Sequence, residues 1–257
     1  DLGCYEFKSD GLVASISYES DGRNDRAEVT FTATVMGAQQ TKQTYAWHVT
    51  SAQGYDETRS GEDLATLTLA LPTGEYTVEL KVTDGAVSAD ALPVGGILVK
   101  ASHTYVKKGG AGVAPYTSSE NATENIQEAV KFAGPGGIVH VDDGFYTMDD
   151  PLVLDEGSRV KSENGPGAVT FYTNPKTKGF PIVLFAHADA VLDGVTLSGY
   201  PETGKRPPIC CAVRLQEAGG TVTNCVIDGV DYDTAPGGVG VQMAAGLVVD
   251  TIIRNCS

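Results

Sequence analysis

The sequence predicts an all-β chain of two units in series, a two-sheet sandwich over residues 1–102 and a parallel β-solenoid over residues 103–257. Three observations carry this. The second half repeats itself: Val183 and Phe185 are followed by Val195 and Leu197, Val213 and Leu215 by Cys225 and Ile227, and Val241 and Met243 by Thr251 and Ile253. Members of each pair lie two apart and so share one side of a strand, and their equivalents return after about 30 residues. Self-similarity at such a period marks a solenoid, because one unit cannot bury its apolar face until a neighbour stacks on it. The first half instead shows short alternating strands parted by turn signals, the pattern of a sandwich. Composition agrees: 31 Gly and 12 Pro suit frequent turns, and Val, Thr and Tyr outweigh long helix-forming runs.

In the first unit the strands are expected over 12–18, 27–35, 44–50, 64–71, 76–83 and 96–100. Ser20-Asp21-Gly22, Pro72-Thr73-Gly74 and Asp84-Gly85 mark turns, where Gly supplies positive φ and Asp bonds its own backbone. A single Trp on an alternating strand is expected in the core, so Trp47 is read as the plug between two sheets. Tyr76 opens a strand and can turn its hydroxyl to nearby backbone. The run Gly74-Glu75-Tyr76-Thr77-Val78-Glu79-Leu80-Lys81-Val82-Thr83-Asp84-Gly85 resembles the last two strands of a PKD-like, immunoglobulin-fold domain. Tyr45-Ala46-Trp47 is similar to that family's central aromatic strand. Where the family runs into a Gly-Asp-Gly turn, this chain has His48-Val49-Thr50-Ser51. The resemblance implies an Ig-like sandwich that serves as a spacer or weak binding module in an exported, cell-surface protein.

The second unit opens with a strand and a glycine-rich loop, Thr104 to Gly112, which lacks the Gly-Lys-Ser/Thr of a phosphate cradle. Asn121, with Glu124 three residues on, is expected to cap a helix over 124–133 whose face is Ile126, Ala129, Val130 and Ala133. Gly134-Pro135-Gly136-Gly137 ends it. Stacked coils put Val195, Cys225 and Thr251 in one inward column and Leu197, Ile227 and Ile253 in the next, with Gly194, Asn224 and Asp250 together at the turn before the strand. The helix should cover the open first coil, as solenoid ends require. At the other end the chain stops within a coil at Ser257, which leads us to expect a fragment of a longer protein, or self-association through the last coil.

Two further segments carry a second resemblance. Asn125-Ile126-Gln127-Glu128-Ala129-Val130, and the run from Pro135 through His140-Val141-Asp142-Asp143-Gly144-Phe145-Tyr146 to Thr147, resemble the N-terminal cap and first coil of pectate-lyase-like right-handed parallel β-helix proteins. The segments Val191 to Gly199 and Thr223 to Gly229 are similar to that family's coil motif. The resemblance implies the fold and leaves the chemistry open, since the family's members include lyases, hydrolases, esterases, tailspikes and adhesins.

Composition narrows the partners. The net charge is −15 and is shared by both units, so binding to a phosphate backbone is not expected. No run of apolar residues is long enough to span a membrane. Cys4, Cys210, Cys211, Cys225 and Cys256 show neither zinc spacing nor a disulfide framework, and Cys225 falls on an inward position.

Chemistry, if present, belongs on outward strand positions, because inward ones are taken by packing. These are Leu184, Arg214 and Gln242 on one strand and Ser198, Asp228 and Arg254 on another. Arg214 beside Gln242 can hold a sugar carboxylate with two parallel bonds, the plain alternative being a solvated strand face. Lys205 and Arg206, in the Pro-rich loop 200–208, are placed to guard a groove or to solubilise the loop. Asp228, Asp231 and Asp233 offer the hard oxygens that Ca²⁺ needs, and lyases of the resembled family use Ca²⁺ to neutralise a uronate; an acidic surface turn is the alternative. His140 is expected to point outward without a visible partner. No Ser/His/Asp, His-Glu-x-x-His or Walker motif occurs. These readings lead to an expected function: an exported surface protein that recognises carbohydrate or another extracellular polymer. The alternatives are a polysaccharide lyase or hydrolase whose catalytic coils lie beyond Ser257, and a structural stalk or adhesin.

Overall fold

The structure, a computed structural model, describes residues 11–173, 181–199, 211–230 and 239–256. It divides into two compact units, Asp1–Lys100 and Ala101–Ser257. The first contains β1 (Val13–Ser20), β2 (Arg26–Met36), β3 (Thr44–Ser51), β4 (Asp56–Gly61), β5 (Thr66–Pro72), β6 (Gly74–Asp84), β7 (Val87–Asp90) and β8 (Val94–Val99). One sheet has the order β1-β2-β5; the other runs β4-β3-β6, with β7 and β8 sharing the far side of β6, and all pairs are antiparallel. The result is a two-sheet antiparallel sandwich around one apolar core.

Alternation explains its core. Ala27, Val29 and Phe31 of β2, Trp47 and Val49 of β3, and Tyr76, Val78, Leu80 and Val82 of β6 are buried while their neighbours face out. Trp47 is completely buried, and its indole N–H, which would be costly to leave unpaired, donates to the Leu64 carbonyl at 2.7 Å. The Tyr76 hydroxyl donates to the Pro72 carbonyl at 2.7 Å, tying the start of β6 to the end of β5. A strand not expected from the sequence, β4, has the composition Asp-Glu-Thr-Arg-Ser-Gly; none of its residues is buried, so no apolar alternation betrays it.

The second unit begins with β9 (Ala101–Val106) and α1 (Ile126–Phe132) and then winds into coils. The first coil holds β10 (Ala133–Val141), β11 (Gly144–Met148) and β12 (Leu152–Leu154); the second β13 (Arg159–Ser162), β14 (Val169–Thr173) and β15 (Val183–Phe185). The third holds β16 (Val191–Asp193), β17 (Thr196–Ser198) and β18 (Cys211–Leu215); the fourth β19 (Thr221–Thr223), β20 (Val226–Asp228) and β21 (Val239–Met243). β22 (Leu247–Val249) and β23 (Ile252–Arg254) begin a fifth. Like strands stack into three parallel sheets, ordered β9-β10-β13-β16-β19-β22, β11-β14-β17-β20-β23 and β12-β15-β18-β21. This is a right-handed parallel β-helix, the hand that parallel crossover connections adopt.

Register puts one residue type above another down the interior. In the first sheet Thr104, Val139, Val160, Leu192, Val222 and Val248 form an inward column; in the second, Tyr146, Phe171, Leu197, Ile227 and Ile253. In the third, Leu152, Val183, Val213 and Val241 run beside Leu154, Phe185, Leu215 and Met243. The corner between the first and second sheets turns on Gly194, Asn224 and Asp250, with φ of +71°, +51° and +47°. Such left-handed backbone is ordinary for Gly and tolerated by Asn and Asp, whose short polar side chains bond locally. Gly199 answers a different need: a Cβ there would stand 2.1 Å from the Gly229 carbonyl oxygen of the next coil.

The cap differs from its expected form. Asn125, not Asn121, caps α1, its side chain accepting from the Gln127 and Glu128 N–H groups at 3.0 and 3.3 Å. Thr123 is drawn instead onto the edge of β9: its carbonyl accepts from Lys107 N and its N–H donates to the Tyr105 carbonyl. Glu124 then reaches the Gly109 N–H at 2.8 Å, which shortens the helix at its start. Ile126, Ala129, Val130 and Phe132 still cover the first coil, and the buried Thr104 hydroxyl donates to the Ala129 carbonyl. Among the described residues, no helix is long and apolar enough to cross a membrane.

Candidate functional site

With the interior filled by packing, polar side chains collect on the outer sheet faces. On the third sheet the outward positions stack as Val153, Leu184, Arg214 and Gln242. Parallel pairing brings Arg214 and Gln242, 28 residues apart, into one rung, and Arg214 Nε donates to Gln242 Oε1 at 3.0 Å. Using its oxygen in this way turns the Gln242 amide nitrogen away from the guanidinium. A groove of about 500 Å³ lies over the pair, bounded also by Gln216, Glu217, Met243 and Ala244. The column is thus apolar over two coils and hydrogen-bonding over the next two.

On the second sheet the outward column is Ser198, Asp228 and Arg254. Arg254 Nε and a terminal guanidinium nitrogen reach Asp228 Oδ2 at 2.9 and 2.8 Å, and Asn255 Nδ2 donates to Oδ1 at 2.7 Å. Burial by itself raises the Asp228 pKa, but the bonds from Asn255 and Arg254 outweigh it and hold the carboxyl below its ordinary value. Both oxygens are therefore engaged, one by a cation. A Ca²⁺ ion at Asp228 would have to share a carboxylate already paired with Arg254. Asp231 and Asp233, expected beside it, lie outside the described residues, as do Lys205 and Arg206. Among the described residues no three His, Cys, Asp or Glu side chains converge on a point that could hold a metal ion.

The first sheet carries a cluster that the sequence did not disclose. His140, expected to stand alone, has partners on both neighbouring strands. Its Nε2 lies 2.9 Å from His103 Nδ1 on β9, and its Nδ1 lies 2.7 Å from Glu163 Oε1, just past β13. Tyr105 stacks on the His140 ring with centroids 4.8 Å apart and planes 14° from parallel. Lys161 holds the other Glu163 oxygen at 2.9 Å. These bonds, Lys161 first and His140 second, lower the Glu163 pKa against a small opposing effect of burial. A cavity of about 250 Å³ adjoins the cluster, lined by Tyr105, His140, Glu163, Asn164, Asp142 and Asp143 among others. Further along the same face Arg159 pairs with the largely buried Asp193 of the next coil.

No family model and no curated protein matches this chain. A crystal structure of pectate lyase Pel3 from Pectobacterium carotovorum is similar to it at 10% identity, covering 95% of this chain and 80% of that one, with a TM-score of 0.22. At that score the likeness carries no argument about the site, and the fold stands on the strand register itself.

Proposed function

We propose that this chain recognises an extracellular polysaccharide or glycan along the third-sheet groove, as part of an exported surface protein in which the sandwich acts as a spacer. The observation that carries the reading is the outward column Val153, Leu184, Arg214, Gln242. A sugar ring presents C–H groups on its faces and hydroxyl or carboxylate groups on its edges. Val153 and Leu184 suit the first, and Arg214 with Gln242 suits the second. Successive coils stand about 4.8 Å apart, close to the length of one sugar ring, so an extended polymer laid along the column meets a similar position on each coil.

Charge bears on the kind of polymer. The net −15 repels a polyanion at long range, whereas the Arg214 fork acts at contact. Binding of a uronate-rich chain should therefore strengthen when moderate salt screens the repulsion, and binding of a neutral glycan should change little.

Affinity electrophoresis against uronate-containing and neutral polysaccharides tests this with the wild type, Arg214→Ala, Arg214→Lys and Gln242→Ala. We expect Arg214→Ala to weaken binding at least tenfold and Arg214→Lys to recover only part of it, since Lys lacks the planar fork. An absorbance assay for unsaturated products and a reducing-end assay on the same mixtures report whether bound polymer is also cleaved. Wild-type affinity in both Arg214→Ala and Gln242→Ala would sink the reading.

A further inference from the structure

We infer that His103 and His140 form a binding site for a divalent late transition-metal ion, with Cu²⁺ the ion their geometry fits best. Their facing nitrogens, His103 Nδ1 and His140 Nε2, are 2.9 Å apart on adjacent strands. Two imidazole donors at about 2.0–2.1 Å from a metal are about 2.9 Å apart when they subtend a right angle, and about 3.3 Å apart at a tetrahedral angle. The observed spacing matches neighbouring corners of a square-planar or tetragonal site, the preference of Cu²⁺ and Ni²⁺, and of these Cu²⁺ binds nitrogen donors more tightly. The other positions in the plane remain for water or for hydroxyl groups of a ligand.

The surroundings prepare the pair for this. Metal-binding imidazoles characteristically donate their second N–H to a carboxylate, which fixes the tautomer and raises the basicity of the ligating nitrogen. His140 has that partner: with Glu163 accepting from Nδ1–H at 2.7 Å, the lone pair falls to Nε2, the nitrogen on the His103 side of the ring. Lys161 holds Glu163 in place, and Tyr105 stacked on the ring opposes its rotation. With both rings neutral and Glu163 accepting from His140 Nδ1–H, the hydrogen between the facing nitrogens belongs to His103 Nδ1. Binding moves that hydrogen to His103 Nε2, so the ring stays neutral, its Nδ1 lone pair is freed, and no net proton is released. His103 is exposed, which gives the ion an entry path, and Glu163, Asp142 and Asp143 outnumber Lys107 and Lys161 around the adjoining cavity.

The chain has four histidines, and the other two are His48 and His187, which supplies the control. Isothermal titration of the whole protein with CuCl₂, in a buffer that does not chelate, is expected to show one site, with an electron paramagnetic resonance spectrum of a tetragonal ion bearing two nitrogen donors. His103→Ala and His140→Gln should each weaken it at least tenfold, Glu163→Gln by about 10–100-fold, and His48→Ala with His187→Ala should leave it unchanged. Circular dichroism separates loss of the site from loss of fold, and exposed His103 is the substitution least able to disturb packing. Absence of binding, or binding unaffected by both His103→Ala and His140→Gln in folded protein, would show that the two rings form a hydrogen bond and nothing more. Zn²⁺ binding more tightly than Cu²⁺ would equally overturn the right-angle assignment.

Discussion

Asp228 and Arg254 occupy the same register position on successive coils and form a 2.8 Å carboxylate–guanidinium pair across the outer face of the second sheet. Because the Asp228 pKa is lowered in the folded chain, its stabilisation is present above the unfolded value, near 3.9, and disappears as pH falls through the lower folded value. Asp228→Asn is expected to cost about 0.2–1 kcal/mol at pH 7, the scale of a solvent-facing pair, and nothing in strong acid. Amide hydrogen exchange across β20 and β23 reads the difference. An equal effect at both pH values would mean that the amide itself, and not the lost charge, disturbs the coil.

Cys225 lies on an inward column with 1% exposure, and burial above all pushes its thiol up to about 11. Since the thiolate is the reactive form, iodoacetamide at pH 8 should modify the partly exposed Cys256 well before Cys225 or the buried Cys211. Peptide mass spectrometry gives the order. Modification of Cys225 at the rate of Cys256 would show that the interior opens far more often than its packing implies.

Asn224 holds a left-handed corner at φ +51°. Asn224→Gly should be tolerated within a few tenths of a kcal/mol, whereas Asn224→Val should destabilise the coil by about 1–2 kcal/mol, because a branched Cβ crowds the following carbonyl. Denaturant midpoints of the three proteins test the ranking, and equal midpoints would refute the backbone explanation.

In the sandwich His48 bridges two strands, with Nε2 3.0 Å from Asp56 and Nδ1 3.4 Å from Glu79. The bond to Asp56, then that to Glu79, raises its pKa above 6.5. A raised value means that the protonated ring stabilises the fold fully below the unfolded pKa, and that this contribution is lost as pH rises through the folded one. NMR titration should therefore show His48 losing its proton above pH 6.5, and Asp56→Asn should move the midpoint back down. A midpoint indifferent to Asp56→Asn would place the cause elsewhere.

What could be read in the sequence followed periodicity. The third and fourth coils repeat after 30 residues in the first two sheets and after 28 in the third, so the inward columns through Val195 and Leu197, and the rung that joins Arg214 to Gln242, follow from the period and the apolar pairs that flank it. β4 was hidden because an exposed edge strand needs no apolar alternation. The cap shifted because Thr123 found backbone partners on β9, a tertiary contact that local capping rules do not contain. The histidine cluster was hidden for a related reason. α1 and its preceding loop lie between β9 and β10, so His103, His140 and Lys161 follow one another after 37 and then 21 residues, and no period connects them. Residues 205, 206, 231 and 233 fall outside the described segments.

The corner built on Gly194, Asn224 and Asp250 constrains how this protein can diverge. From the third coil on, two residues alone separate the first-sheet strand from the second-sheet strand: Gly194–Val195, Asn224–Cys225 and Asp250–Thr251. One added residue there would invert the parity of the strand that follows, sending its oily side chains to water and its polar ones inward. From the second coil on, the links from the second sheet to the third are nine, twelve and ten residues long, spanning 174–182, 199–210 and 229–238, and connections of that length can take an added residue without dictating the parity of the strand beyond. Insertions and deletions accumulated over descent should therefore gather along one edge of the β-helix, the edge that leads into the Arg214 strand, while the opposite corner keeps its count.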